Sequence, residues 1–130
     1  MDLRCLIVDD SRRFLQAARS LLEREGVTVV GVASTSAEAL RRAEELKPDV
    51  ALVDVDLGGE SGFDLARRLE SGTSLEPSKV ILISTYAEED FADLITATPV
   101  AGFLYKGNLS ARAIRELLGN NGDGDGPRTP

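Results

Sequence analysis

The sequence predicts an α/β domain: five parallel strands in one sheet with helices on both faces, a doubly wound (βα)5 arrangement. Three observations predict it. Short runs of Val, Ile and Leu alternate five times with longer stretches of helical period. The runs are apolar nearly throughout, as strands covered on both faces must be. The 130 residues suffice for one hydrophobic core but not for two.

The five strands are LRCLIV at 3–8, VTVVGVA at 27–33, DVALVD at 49–54, KVILIS at 79–84 and VAGFLY at 100–105. The first helix sets Phe14, Ala18, Leu21 and Leu22 on one face and Arg12, Arg13, Arg19, Glu23 and Arg24 on the other, and Gly26 stops it. The second opens with Thr35 and, three residues on, Glu38, the spacing of a capping box. It closes at Lys47 before Pro48, with Ala39, Leu40, Ala43 and Leu46 toward the sheet. The third covers about Phe63 to Glu70 with Ala66 and Leu69 inward, and SGTSLEPS follows as loop. The fourth is expected near Glu88 to Ala97, with Phe91, Leu94 and Ile95 as its apolar stripe, ended by Pro99. The fifth starts around Ser110, buries Ala113, Ile114, Leu117 and Leu118, and ends at Gly119. The domain is thus expected to occupy 1–119, and NNGDGDGPRTP at 120–130 to be a disordered tail or the start of a linker. Within it Asn121, Asp123, Asp125 and Gly126 have a calcium-loop spacing, but no bidentate Glu follows.

Fifteen basic against twenty-two acidic residues give a net charge of −7, which disfavours direct nucleic-acid binding. No apolar run approaches the roughly 18 residues of a membrane span, and the N-terminus lacks a signal-peptide core, so a soluble, cytoplasmic chain with no membrane association is expected. Cys5, the single cysteine, lies in an apolar strand and belongs to the core. There is no histidine, which removes the commonest general base and zinc ligand. Any chemistry must run on carboxylates, hydroxyls and lysine.

In an open parallel sheet, ligands gather beyond the carboxyl ends of the strands, where the strand order reverses. The first strand ends at Asp9 and Asp10, the third at Asp54, the fourth at Ser84 and Thr85, and the fifth at Lys106. Each has an ordinary explanation by itself. An acidic pair ahead of a helix complements its dipole, Asp54 and Lys106 suit a solvated loop, and Ser84 suits a strand end. Together, three carboxylates, a hydroxyl and a lysine on one rim are the groups that hold Mg²⁺ and a phosphoryl group.

From Leu3 to about Leu118 the chain resembles the receiver domain of two-component response regulators. The acidic pair in LIVDD, the aspartate in ALVDVDL, the hydroxyl in ILIST and the lysine in GFLYK stand in that family's order. Asp10 to Asp54 is 44 residues, Asp54 to Ser84 is 30 and Ser84 to Lys106 is 22, spacings similar to those usual for the family. The resemblance implies a flavodoxin-like sheet of strand order 2-1-3-4-5. It implies that Asp54 is the phosphoacceptor for a sensor histidine kinase. Asp10 and Asp54 would bind Mg²⁺ through their carboxylates, Asp56 through its backbone carbonyl and Asp9 through water. Lys106, Ser84 and the Thr85 backbone N–H would contact the phosphoryl oxygens. Phe103 would be the aromatic switch that turns inward as Ser84 moves. The output face would be the fourth helix, fifth strand and fifth helix, meeting an effector domain, a downstream protein or, as a homodimer, a second copy.

The chain departs from the family pattern in places. Gly58 stands four residues past Asp54 where many receivers have proline, implying a looser loop. Asp56 adds a carboxylate, and Tyr86 a ring, at positions that the resemblance implies tune phosphoryl lifetime. Pro99 before the fifth strand changes the turn there, and Tyr105 is a contact or a partly buried strand residue. Two other functions fit parts of the sequence. ALVDVDL also suits a haloacid-dehalogenase-like phosphatase with Asp56 as general acid, although that superfamily needs a further acidic motif after its lysine. A binding module that works without phosphorylation would leave the acidic, hydroxyl and lysine set unexplained.

Overall fold

The computed structural model describes residues 3–122. Its elements run β1 (Leu3–Val8), α1 (Arg12–Arg24), β2 (Val27–Ala33), α2 (Ser36–Leu46), β3 (Val50–Asp54), α3 (Gly62–Gly72), β4 (Val80–Ser84), α4 (Ala92–Thr96), β5 (Gly102–Tyr105) and α5 (Ala111–Gly122). The strands pair in parallel in the order β2-β1-β3-β4-β5, the flavodoxin-like arrangement. The order reverses between β1 and β3, and the crevice for a ligand lies there.

Alternation along each strand divides the core into two layers. Leu6, Val8, Ala51, Val53, Val80 and Leu82 point to one side, where Ala39 and Ala43 of α2 and Phe63, Leu65, Ala66 and Leu69 of α3 cover them. Cys5, Ile7, Val50, Leu52, Ile81 and Ile83 point to the other, beneath Leu15, Ala18 and Leu22 of α1 and Ile114 of α5. With side chains buried on both faces, β1, β3 and β4 need apolar residues at nearly every position. Replacing one such leucine, Leu52, by alanine costs about 2–5 kcal/mol.

Hydroxyl caps start α1, α2, α3 and α5. Ser11 Oγ accepts from Phe14 N–H, Thr35 Oγ1 from Glu38 N–H, Ser61 Oγ from Phe63 and Asp64 N–H, and Ser110 Oγ from Ala113 N–H. Glu38 Oε1 accepts from Ser34 N–H rather than from Thr35, so the capping box reaches one residue further back than its usual geometry. At the other end of α2, Lys47 takes a left-handed conformation, and the Arg4 guanidinium donates to the Leu46 and Lys47 carbonyls.

Several boundaries differ from those read in the sequence. β3 and β4 begin one residue later and β5 two residues later. In α1, Leu15 is buried and Phe14 only partly so. α3 continues to Gly72, into the segment expected to be loop. The fourth helix is not continuous. Glu88–Phe91 winds as a 3-10 turn, only Ala92–Thr96 is α-helical, and Leu94 is 47% exposed instead of buried. Asp90 caps the start of the 3-10 turn by accepting from Ala87 N–H, and the non-helical backbone of Phe91, φ −125° and ψ 17°, separates that turn from α4. α5 runs on to Gly122 because glycine costs a helix only about 1 kcal/mol and no proline intervenes. Residues 123–130, with most of the supposed calcium loop, lie outside the described residues. Among the described residues no helix is long and apolar enough to cross a membrane.

Candidate functional site

Strand register assembles the site. Val8 of β1 pairs with Val53 of β3, so Asp9 and Asp54, the next residues, continue one row across the sheet. Asp54 pairs in turn with Ile83 of β4, and Ile83 with Leu104 of β5. By alternation Asp9, with Ile7, and Asp54, with Leu52, lie on the face that α1 covers. Lys106 follows β5 in a 3-10 turn and reaches back over this row.

Lys106 Nζ lies 2.6 Å from Asp9 Oδ2 and 3.3 Å from Asp54 Oδ2. Asp9 is fully buried, its Oδ1 accepting from Ser11 N–H at 2.8 Å, while its Oδ2 accepts no hydrogen bond of regular geometry. Asp54 Oδ1 accepts from Asp56 N–H at 3.2 Å. Burial and the neighbouring Asp9 charge push the Asp54 carboxyl up to about 6, against the opposing pull of Lys106. Burial alone would lower the Lys106 ammonium, but Asp9 and Asp54 together hold it above its ordinary value.

Asp10 is exposed at the rim, and Asp9, Asp10 and Asp54 each offer a carboxylate oxygen within 4.8 Å of the others. Three carboxylates, each with an oxygen within 4.8 Å of the others and only one lysine beside them, fit a divalent cation of the Mg²⁺ type. The loop from β3 to α3 closes over them. Gly58 has φ +64°, and a Cβ there would stand 2.5 Å from Asp10 Oδ2. Gly62 opens α3 so close to the strand that a Cβ would meet the Asp54 carbonyl.

The remaining predicted residues divide. Ser84 is buried at the end of β4, in the row of Val80 and Leu82, and its Oγ accepts from Tyr86 N–H at 2.9 Å. Thr85 follows it, exposed. Phe103 is 8% exposed, so its ring already faces inward, packed 6.2 Å from Phe91. The Asp56 carboxylate turns into its own loop to accept from Gly58 N–H at 3.1 Å, apart from the other three. Tyr86 and Tyr105 are 62% and 46% exposed.

Two participants escape a reading of the sequence. Phe14, assignable there only to a core face, lies with its ring 4.2 Å from Lys106 Nζ, a cation–π contact that fixes the ammonium from below. Glu60, which carries no motif, donates nothing but accepts from Ser36 N–H of α2 at 2.8 Å and ties the loop to a distant helix. The position of Phe14 four residues after the acidic pair, one turn into α1, was the available signal for the first. The second had none.

Comparison with known proteins places this geometry in context. The response regulator of Pseudomonas viridiflava named GacA is 35% identical over 116 residues, covering 88% of this chain and 53% of that protein. The chain thus spans about half the length of such curated relatives. The signal receiver domain of a modulated diguanylate cyclase from Desulfovibrio desulfuricans G20 is 31% identical, with TM-score 0.72 and 90% of each chain covered. A response regulator protein from Burkholderia pseudomallei, solved with a phosphorylated aspartic acid, a calcium ion and citrate, is 26% identical at TM-score 0.73, covering 90% of this chain and 66% of its own. The family described as response regulator receiver domain matches residues 5–118. A match of that length, on a parallel sheet ordered 2-1-3-4-5, makes the chain a member of the response regulator receiver domain family.

Proposed function

We propose that Asp54 accepts a phosphoryl group from a sensor histidine kinase and that the change is passed to a partner through α4, β5 and α5. The observation that carries this reading is the Lys106 ammonium seated between Asp54 Oδ2 and Asp9 Oδ2, with Asp10 beside them.

With a carboxyl value near 6, Asp54 is mostly ionised at neutral pH and ready to act as nucleophile. Its Oδ1 is held by Asp56 N–H and its Oδ2 faces Lys106, so the carboxylate keeps one orientation. A carboxylate oxygen forms the new bond to phosphorus as the bond from phosphorus to the donor's imidazole nitrogen breaks. The electron pair of the broken bond stays on that nitrogen. Asp9, Asp10 and Asp54 would hold Mg²⁺, with the Asp56 carbonyl as a further oxygen, and a bound Mg²⁺ supplies neutralisation of the charge that gathers on the phosphoryl oxygens. Lys106 supplies the same from the protein.

The product adds roughly two negative charges. Ser84 would leave Tyr86 N–H to donate to a phosphoryl oxygen, with Thr85 N–H beside it. Because Phe103 already points inward, the switch in this chain starts from Ser84 and the Tyr86 backbone rather than from an outward ring. The phosphatase alternative has little support, since the Asp56 carboxylate is occupied within its own loop.

Incubation with Mg²⁺ and acetyl phosphate, read by intact mass, is expected to add one phosphoryl group, and Asp54→Asn to add none while keeping the wild-type fold. Labelling of Asp54→Asn at the wild-type rate would overturn the acceptor assignment. Continuous turnover of a generic phosphomonoester would favour the phosphatase.

A further inference from the structure

The loop after Asp54 is built to press on Asp10, and its anchor lies outside the site. Asp10 makes no hydrogen bond or ion pair among the described residues, and Gly58 comes so close to its carboxylate that an added Cβ would stand 2.5 Å from Asp10 Oδ2. Gly58 is held there by its own loop. It donates to Asp56 Oδ1 at 3.1 Å, Leu57 N–H donates to the Glu60 carbonyl at 2.9 Å, and Asp56 and Ser61 pair across the loop base. With φ +64° at Gly58 and +104° at Gly59, the chain doubles back in a path that proline could not follow. These bonds shape the loop but do not tie it to the rest of the molecule. Leu57, buried in the core on the side of α2 and α3, anchors the loop at its start, and beyond Gly58 it is tied to α2 by Glu60 Oε1, which accepts from Ser36 N–H, the first residue of that helix, 24 positions away in sequence. That N–H is one of the donors a helix start leaves without an internal partner, so the bond is not offset by any loss within α2.

We infer that Glu60 is a positioning residue: by docking the glycine loop on the start of α2 it holds Gly58 against Asp10 and so sets the affinity of the three-aspartate group for a divalent cation. The inference rests on the reading of Asp9, Asp10 and Asp54 as cation ligands. It goes beyond that reading by placing the control of affinity on a residue that touches neither cation nor phosphoryl group.

The proposed loop that Gly58 would loosen is therefore a braced one. Removing the brace lets the loop move off Asp10 and frees that exposed carboxylate to take other orientations, so the ion-binding geometry must then be assembled at each binding event. Chemistry at saturating cation needs only the assembled state, so affinity and rate should separate.

The test compares wild type, Glu60→Ala, Glu60→Gln and Gly58→Ala as the full chain, with Mg²⁺ alone as probe. Mg²⁺ dissociation constants are measured by calorimetry, amide exchange at Ser36 by NMR, and labelling by acetyl phosphate at saturating Mg²⁺ by intact mass. Glu60→Ala is expected to weaken Mg²⁺ binding about fivefold, with faster exchange at Ser36 and a labelling rate within about twofold of wild type. Glu60→Gln, whose amide oxygen can still accept from Ser36, should stay within about twofold in affinity. Gly58→Ala, which places a methyl against Asp10, should lose at least as much affinity as Glu60→Ala. Unchanged Mg²⁺ affinity in Glu60→Ala, or equal losses in the alanine and glutamine variants, would overturn the role of Glu60. A wild-type chain that takes up no Mg²⁺ would overturn the cation reading itself, and the positioning role with it.

Discussion

Among the described residues Lys106 is the one cation facing the buried Asp9 and Asp54, and its removal leaves the two carboxylates with no compensating charge from those residues. Lys106→Ala is expected to destabilise the metal-free chain by about 2–4 kcal/mol at pH 8, less than a fully dry pair would because the lysine is partly exposed. Chemical denaturation should show a smaller loss at pH 5, where Asp54 can relieve the repulsion by taking a proton. Equal losses at both values would mean that Asp54 is not the group responding. The same residue gives a direct titration. In metal-free protein the Asp54 carboxyl carbon should titrate near 6 by NMR, well above the ordinary aspartate value of 3.8, and Mg²⁺ should lower that midpoint. The sign for stability follows. A carboxyl raised in the folded state contributes fully below about 4, and its contribution is lost as pH rises through about 6. Lys106, raised in the opposite class of group, contributes throughout that window and loses its part only as pH passes its elevated value.

The elements differ in how firmly the packing holds them. α4 is five residues long, contains no buried residue and ends where the Thr96 and Thr98 hydroxyls turn back to the Ala92 and Leu94 carbonyls, ahead of Pro99. What attaches the segment is Ile95, packed on the core, and Phe91, whose ring meets Phe63 at 5.6 Å, Phe103 at 6.2 Å and Tyr86 at 6.3 Å. Phe91→Ala should cost roughly 2 kcal/mol and speed amide exchange across 88–96 far more than in α1 or α5. Uniform acceleration over the whole chain would show instead that the segment unfolds with the core. This was the part of the fold least legible in the sequence. The central strands could be read because burial on both faces demands unbroken apolar runs, and Thr35 and Ser110 announced their helices by chemistry local to the chain. In the fourth helix the spacing of Phe91, Leu94 and Ile95 was helical, yet Glu88–Phe91 winds as a 3-10 turn, Phe91 leaves helical geometry and Leu94 faces water. The site showed the same division. Asp9, Asp54 and Lys106 were legible because they end strands, whereas Glu60 and the Phe14 contact depend on how distant elements pack.

At the scale of the molecule, the folded state confines like charges that the unfolded chain keeps apart. Mg²⁺ should therefore raise the melting temperature, and more at pH 8 than at pH 5, because protonation of Asp54 relieves part of the crowding that the ion would otherwise relieve. A melt that does not move across millimolar Mg²⁺ at pH 8 would count against the cation site. The partner proposed for the face formed by α4, β5 and α5 belongs to the same scale. The segment from Val80 to Tyr105 contains no lysine or arginine, and the large exposed apolar side chains of the described residues, Tyr86, Leu94 and Tyr105, all lie in it.

The alternation of β4 and β5 sets Ser84 and Phe103 beneath α3, whereas Asp54, Lys106 and the Phe14 ring gather under α1. On the proposed reading, donor chemistry and its readout are thus separated by a wall one polypeptide thick. The Ser84 hydroxyl stands at the carboxyl end of β4, where that wall stops, and in leaving Tyr86 N–H for a phosphoryl oxygen it would carry the event round the strand end from one side to the other.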